Sequence, residues 1–222
     1  MMKSLASFAA FIATALPVSA EPILVELFAS QNCAACPKAH DTLSEVNDQR
    51  DDVLILTWSV DYWDYLGEPD PMAMEMSTER QAAYADLFRL RGPYTPQTVY
   101  NGAEQCPGNR PNRVARRLAA AESARAEEAE QEHAASMVSF QQTPKGWAVS
   151  VPPGLSSDVH LIQFRKDGDH ETDMVHPVTG LAKLSHLPFG GAVSTVPDCE
   201  SGCALVVQAP GHGKVYGAQR LN

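Results

Sequence analysis

"PILVELFASQNCAACPKAH", Pro22 to His40, carries an apolar run into two cysteines two residues apart, then into a proline and a histidine. Ile23 to Ala29 is apolar except for Glu26, the pattern of a strand buried on both faces. After the cysteines, "PKAHDTLSEVNDQ" spaces Ala39, Leu43 and Val46 along one helical stripe. Pro37 suits the first turn of that helix, where its missing N–H costs nothing. Cys33 and Cys36 therefore sit at a strand-to-helix junction.

The meaning of such a pair depends on the compartment. Residues 1–20, "MMKSLASFAAFIATALPVSA", combine Lys3, an apolar stretch from Leu5 to Leu16 and a small-x-small "VSA". The stretch is too short to span a bilayer and reads as a signal peptide cleaved after Ala20, which sends the chain to the periplasm or out of the cell. Nothing else in it resembles a membrane span. Lys and Arg number 17 against 27 Asp and Glu; without Lys3 the balance is 16 against 27, a net charge of −11. That balance argues against nucleic acid or an anionic membrane as partner. A hydrophobic content of 44% supports a packed core.

"VLILTWSV", Val53 to Val60, reads as a second buried strand, and "STERQAAYADLFRL" as a helix capped by Ser77 or Thr78. "YTPQTVYNG" is a proline-led strand ending in the hairpin signal Asn101-Gly102. Residues 109–136, rich in Ala, Arg and Glu, predict one long helix. From Met137 the composition changes to short β runs, "WAVSV", "VHLIQF" and "ALVVQA", separated by Pro and Gly turns. The expected organisation is an α/β domain over 21–136, a central mixed sheet flanked by helices in the element order of a thioredoxin-like fold, and a small all-β unit over 137–222.

The residues also carry a family resemblance. "ILVELFASQNCAAC" resembles the thioredoxin strand entering its active site, with Glu26 at the place of that family's buried acid and one extra loop residue before Cys33. "YTPQTVYNG" resembles its Thr-Pro loop, in which the resemblance implies a cis Pro96 facing the dithiol. More specifically, "SVDYWDYLGEPDP", "STERQAAYA" and "YTPQTVYNG" resemble the exported thioredoxin-like bacterial family known as domain of unknown function 1223. The match runs well over residues 22–105 and more loosely over "LVVQAPGHGKVYGAQRL"; between Arg165 and Val196 the chain departs from it.

A thiolate at a helix N-terminus is stabilised by unsatisfied N–H groups, so Cys33 is the expected nucleophile and Cys36 the resolving thiol of a thiol–disulfide oxidoreductase. Ala34-Ala35 between them brings no charge, so neither oxidant nor reductant is selected. His40, i+4 from Cys36, either favours the thiolate or is only helix surface. Two readings of Glu26 stand: it shuttles the resolving cysteine's proton, as the resemblance implies, or it is a strand-edge carboxylate paired with a lysine. Pro96 and Thr95 would present backbone to an extended peptide. Tyr62 and Trp63, with Tyr65, either rim a substrate groove or pack on the core.

Two other classes compete. One is a non-catalytic binding module with the pair permanently oxidised. The other is a Cu(I) site from Cys33, Cys36 and His40, with Met72, Met74 and Met76 nearby, since thiolate, imidazole and thioether suit that ion. Met triplets are more often gap-filling surface. Cys199 and Cys203 predict a local structural disulfide, with a second redox or metal pair as the alternative; Cys106 is either a free thiol or a competitor for one of them. His160, His170, His176, His186 and His212 match no metal spacing, and no Ser-His-Asp grouping or phosphate-cradling loop is present. The expected partners are an exported protein with cysteines and a redox partner protein, with no cofactor beyond the redox-active disulfide.

Overall fold

The structure, a computed structural model, describes residues 21–131, 137–166, 173–196, 199 and 201–221. Residues 1–20, expected from the sequence to be a signal peptide, and His170 lie outside them. The first half alternates strand and helix: β1 (Ile23–Ala29), α1 (Pro37–Gln49), β2 (Val53–Ser59), α2 (Glu75–Leu87), β3 (Gln97–Tyr100), β4 (Glu104–Pro107) and α3 (Pro111–Gln131). These strands make a mixed sheet in the order β2-β1-β3-β4, with β1 parallel to β2 and antiparallel to β3. The second half is antiparallel: β7 (Ser157–Phe164), β8 (Val178–Leu187), β10 (Gly202–Gln208) and β11 (Val215–Arg220) form one sheet. β5 (Ser139–Thr143), β6 (Gly146–Val151) and β9 (Gly191–Val196) form another.

Alternation along the strands explains how these layers stack. Ile23, Val25, Leu27 and Ala29 point to the face covered by α1 and α3, where they meet Leu43, Val114 and Leu118. Leu24 and Phe28 point the other way, into a core shared with Tyr84 of α2 and with Ile162, Phe164, Ala204 and Val206 of the β7/β10 sheet. The opposite residues of those strands, Val159, Leu161, Leu205 and Val207, pack on Val149, Val151 and Val196 of the third sheet. β10 is thus covered on both faces, which is why its sequence is apolar without alternation.

The shared core contains charge. Arg80, 1% exposed, donates through Nε to Glu26 Oε1 at 2.6 Å and through Nη2 to Oε2 at 3.1 Å, while the Tyr84 hydroxyl donates to Oε2 at 2.6 Å. The same guanidinium donates to Gln208 Oε1 at 3.1 Å and His212 Nδ1 at 2.8 Å, and stands 5.1 Å from the Trp58 ring centroid. Burial opposes its charge, but the Glu26 carboxylate outweighs that and raises its pKa further. Glu26 is therefore neither at a strand edge nor paired with a lysine: it lies on the central strand and is held by an arginine.

α2 starts earlier than the sequence suggests. Its N-cap is Met74, without a side-chain cap, because the Met74 N–H is taken by Ser59 O at 3.2 Å and hooks the chain onto β2. Ser77 is buried inside the helix, and Thr78 Oγ1 donates to Asp61 at 2.6 Å. The Asn101-Gly102 turn forms as expected, with φ of 44° and 62°. A Cβ on Gly102 would collide with Gly213 O, so the turn also abuts the β10–β11 connection.

His160 and His212 stack at 6.0 Å beside Arg80, and His160 Nδ1 is buried without a hydrogen-bond partner among the described residues. Burial, then the Arg80 charge and His212, push the His160 pKa down to about 3. The unfolded chain therefore binds a proton near pH 6.5 that the folded one refuses until far lower, so stability is full above that pH and falls as the pH drops below it. We expect urea midpoints to decline from pH 7 to pH 5, by no more than about 1.4 kcal/mol per pH unit for this histidine, and the slope to diminish in His160→Gln. Arg80→Met, which strands the Glu26 carboxylate, is expected to cost about 3–5 kcal/mol in urea denaturation. Glu26→Leu combined with Arg80→Met should cost clearly less than the two single changes added together.

Candidate functional site

β1 ends at Ala29, and the chain turns twice before entering α1. Cys33 N–H donates to Ser30 O at 3.1 Å, Cys36 N–H to Cys33 O at 2.9 Å, and the amides of Ala39 and His40 to Cys36 O at 2.8 and 3.1 Å. Cys36 is the N-cap residue and Pro37 follows it, as the proline suggests. Cys33 and Cys36 are disulfide-bonded, with Cα atoms 5.4 Å apart. Cys33 is 5% exposed and Cys36 1%, which leaves Cys33 the more accessible.

The aromatic-acidic loop between β2 and α2 holds this turn in place. Gln31 N–H donates to Asp70 Oδ2 at 2.9 Å, and the side-chain amides of Gln31 and Asn32 both reach Glu68 O. The other Asp70 oxygen accepts the Met72 N–H at 2.9 Å. Trp63 packs against the cluster that contains both cysteines, and its indole N–H donates to Thr95 Oγ1 at 2.7 Å. Thr95–Pro96 is a cis peptide. The Tyr62 hydroxyl donates to Gln81, whose amide donates in turn to Tyr94 O. Tyr62, Trp63 and Thr95 are thus drawn together by hydrogen bonds, while Tyr65, 77% exposed, and Leu66, 55% exposed, face outward beside them.

On the other flank of Cys36 lies a cavity of about 260 Å³, bordered by His40, Asp70, Met72, Asp173 and Met174. The Nδ1 of His40 is buried and has no hydrogen-bond partner among the described residues. Burial lowers the pKa of His40 against the opposing pull of Asp173, Asp41 and Asp70, so the ring is neutral at pH 7. Ser59 Oγ donates to the Met174 sulfur at 3.8 Å. Met174 and Asp173 have no sequence signature; they reach the cavity because the chain just beyond them runs along the edge of β2, where Thr57 Oγ1 donates to Val175 O at 2.7 Å. Met74 instead packs into the shared core.

Glu26 is not brought to the dithiol. It shares the parity of Leu24 and Phe28, on the face of β1 opposite the cysteine cluster, and its oxygens are occupied by Arg80 and Tyr84. Among the described residues, no three His, Cys, Asp or Glu side chains are grouped to hold a metal ion, and Cys33, Cys36 and His40 form no such set while the sulfurs are joined. Cys199 is bonded to Cys203, with Cα atoms 6.1 Å apart. Cys106 is a free thiol on β4, buried against Thr98 and Tyr100. No described helix is long and apolar enough to cross a membrane.

A family model described as protein of unknown function, DUF1223, matches residues 24–173. A structural-genomics crystal structure of a protein from Agrobacterium tumefaciens is similar at 27% identity and a TM-score of 0.70, covering 90% of this chain and 93% of that one. HBP35 of Porphyromonas gingivalis aligns at 10% identity and a TM-score of 0.55, covering 90% of this chain and 74% of its own, a likeness of fold alone. No curated protein matches significantly.

The five cysteines divide into two bonded pairs and one buried thiol, which is open to count. Without reductant, Ellman's reagent should find no reactive thiol in the native protein and one per chain in guanidinium. Two or more reactive thiols in the unreduced, unfolded chain would mean that one of the pairs is open.

Proposed function

The chain belongs to the DUF1223 family of proteins of unknown function, and from that footing we propose that it is an exported thiol–disulfide oxidoreductase of thioredoxin-like fold, acting on protein cysteines through Cys33 and Cys36. The observation that carries the reading is a two-residue-spaced disulfide at the N-terminus of α1, at the end of the central strand. The Thr95–cis-Pro96 loop, tied through Trp63 to the same cluster, supports it. Export rests on the pattern of residues 1–20, and the boundary near residue 137 on the change to antiparallel sheets.

In the oxidising direction, a substrate thiolate attacks Cys33 Sγ, the Cys33–Cys36 bond breaks, and Cys36 leaves as a thiolate. A second substrate thiolate then attacks the substrate sulfur of the mixed disulfide and expels Cys33. Two electrons pass to the protein, and its two cysteines finish with the protons the substrate thiols gave up. The reducing direction is the reverse, with Cys36 resolving the mixed disulfide. Neutral His40, bordering the same cavity as Cys36, is the base available to the resolving thiol. Glu26 stays outside this chemistry. The Cys33–Cys36 bond accepts the two electrons and the two thiols then hold them, so no further cofactor is required, and a redox partner protein resets the pair.

Redox titration of the mature protein in glutathione buffers, read by alkylation and mass spectrometry at Cys33 and Cys36, tests this directly. A reversible transition between about −120 and −270 mV is expected. A pair reduced only below about −300 mV would be a structural staple and would leave the binding-module reading in its place. In cells, Cys36→Ser should accumulate mixed disulfides with exported proteins, and Cys33→Ser should not.

A further inference from the structure

The cavity beside Cys36 collects donors of one chemical kind from distant parts of the chain. Cys36 and His40 come from the start of α1, Met72 from the aromatic-acidic loop, and Met174 from the segment before β8. A sulfur, an imidazole nitrogen and two thioethers are soft ligands, poorly matched to Mg²⁺ or Ca²⁺ and well matched to monovalent copper. His40 lines the cavity, and its buried Nδ1 has no hydrogen-bond partner among the described residues, which leaves an imidazole nitrogen uncommitted. Ser59 Oγ donates to the Met174 sulfur, which holds that thioether at the cavity. Asp70 and Asp173 on the wall favour a cation, while the Asp70 oxygens are engaged by the Gln31 and Met72 amides.

We propose that this cavity is a Cu(I) site that forms only in the reduced protein, with Cys36, His40, Met72 and Met174 as donors and Cys33 as a second thiolate beside them. The inference deepens the preceding reading, since it requires a reducible Cys33–Cys36 bond. An external dithiol supplies the two electrons: its sulfurs become a disulfide, the Cys33–Cys36 bond breaks, and each cysteine receives a proton. Cu(I) then displaces the proton of each coordinating thiol to solvent. Oxidation of the pair removes the thiolates, so release of copper and readiness to oxidise a substrate coincide.

The test is a Cu(I) titration of the full mature protein against bicinchoninate without oxygen, using protein reduced by a phosphine and protein left oxidised. Reduced protein should withdraw one equivalent of Cu(I), and oxidised protein should bind at least roughly a hundredfold more weakly. Met72→Leu with Met174→Leu, similar in volume, should weaken binding by roughly tenfold or more while leaving the glutathione titration of Cys33 and Cys36 unchanged. Failure of reduced protein to compete, or equal binding by the double leucine variant, overturns the proposal. A protein that binds Cu(I) after phosphine reduction yet shows no transition in the catalytic range would refute the oxidoreductase reading and leave the copper site standing.

Discussion

The ion pair between Glu26 and Arg80 is the constraint on which the remaining architecture depends. Both side chains are removed from water, and desolvating two charges costs more than their attraction returns unless every remaining donor and acceptor is used. Here they are used: Tyr84 and Gln208 take up the remaining positions, and His212 accepts the last guanidinium contact. The partners come from the central strand, from α2, from β10 and from the connection after it. A register error of one residue in β1 would turn Glu26 toward α1 and leave Arg80 unpaired, so the pair selects against alternative packings as much as it stabilises this one.

That selection reaches the disulfide through the loop that precedes α2. Arg80 fixes the rotation of the helix, and the Met74 amide on Ser59 O fixes where it begins. The chain between β2 and the helix must then close over the end of β1. In doing so it places Asp70 on the Gln31 amide and Trp63 on Thr95. The carboxylate of the buried Asp70 is thereby paired by the turn that leads to Cys33 and by its own loop. The segment from Asp173 to Val178 completes the surroundings from the far end of the sequence, held to β2 by backbone and hydroxyl hydrogen bonds. The neighbourhood of the cysteines is therefore composite, assembled from both halves of the chain.

What could be read from the sequence follows the range of the interactions. The strand into the cysteines, the helix opened by Pro37, the Asn101-Gly102 turn, the long α3 and the Cys199–Cys203 bond are local, and residue type with spacing specifies them. DUF1223 membership was equally legible, from three short stretches of residues. The partner of Glu26 was not legible, because Arg80 sits in an ordinary helical stretch and its burial is decided by residues 54 and 128 positions away. Ser77 resembled a cap, yet the helix start is set by a backbone bond to β2 that no capping rule includes. Met174 lies in a stretch without a pattern and matters only because Val175 is bound to Thr57, 118 residues earlier.

Parity along β1 has the deepest consequence for chemistry. Successive side chains of a strand point to opposite faces, so Glu26 and the residues flanking it are committed to different cores. The even-numbered face carries the charge network that joins the two halves. The odd-numbered face carries the cluster in which Cys33 and Cys36 are embedded. A carboxylate under the dithiol would couple its own proton to the thiol and make the reduction potential depend on both. By turning the acid away and binding it to Arg80, this chain separates the group that secures the fold from the disulfide pair at the start of α1. The other flank of the cysteines carries instead His40, whose pKa is lowered by burial, and the cavity beside Cys36.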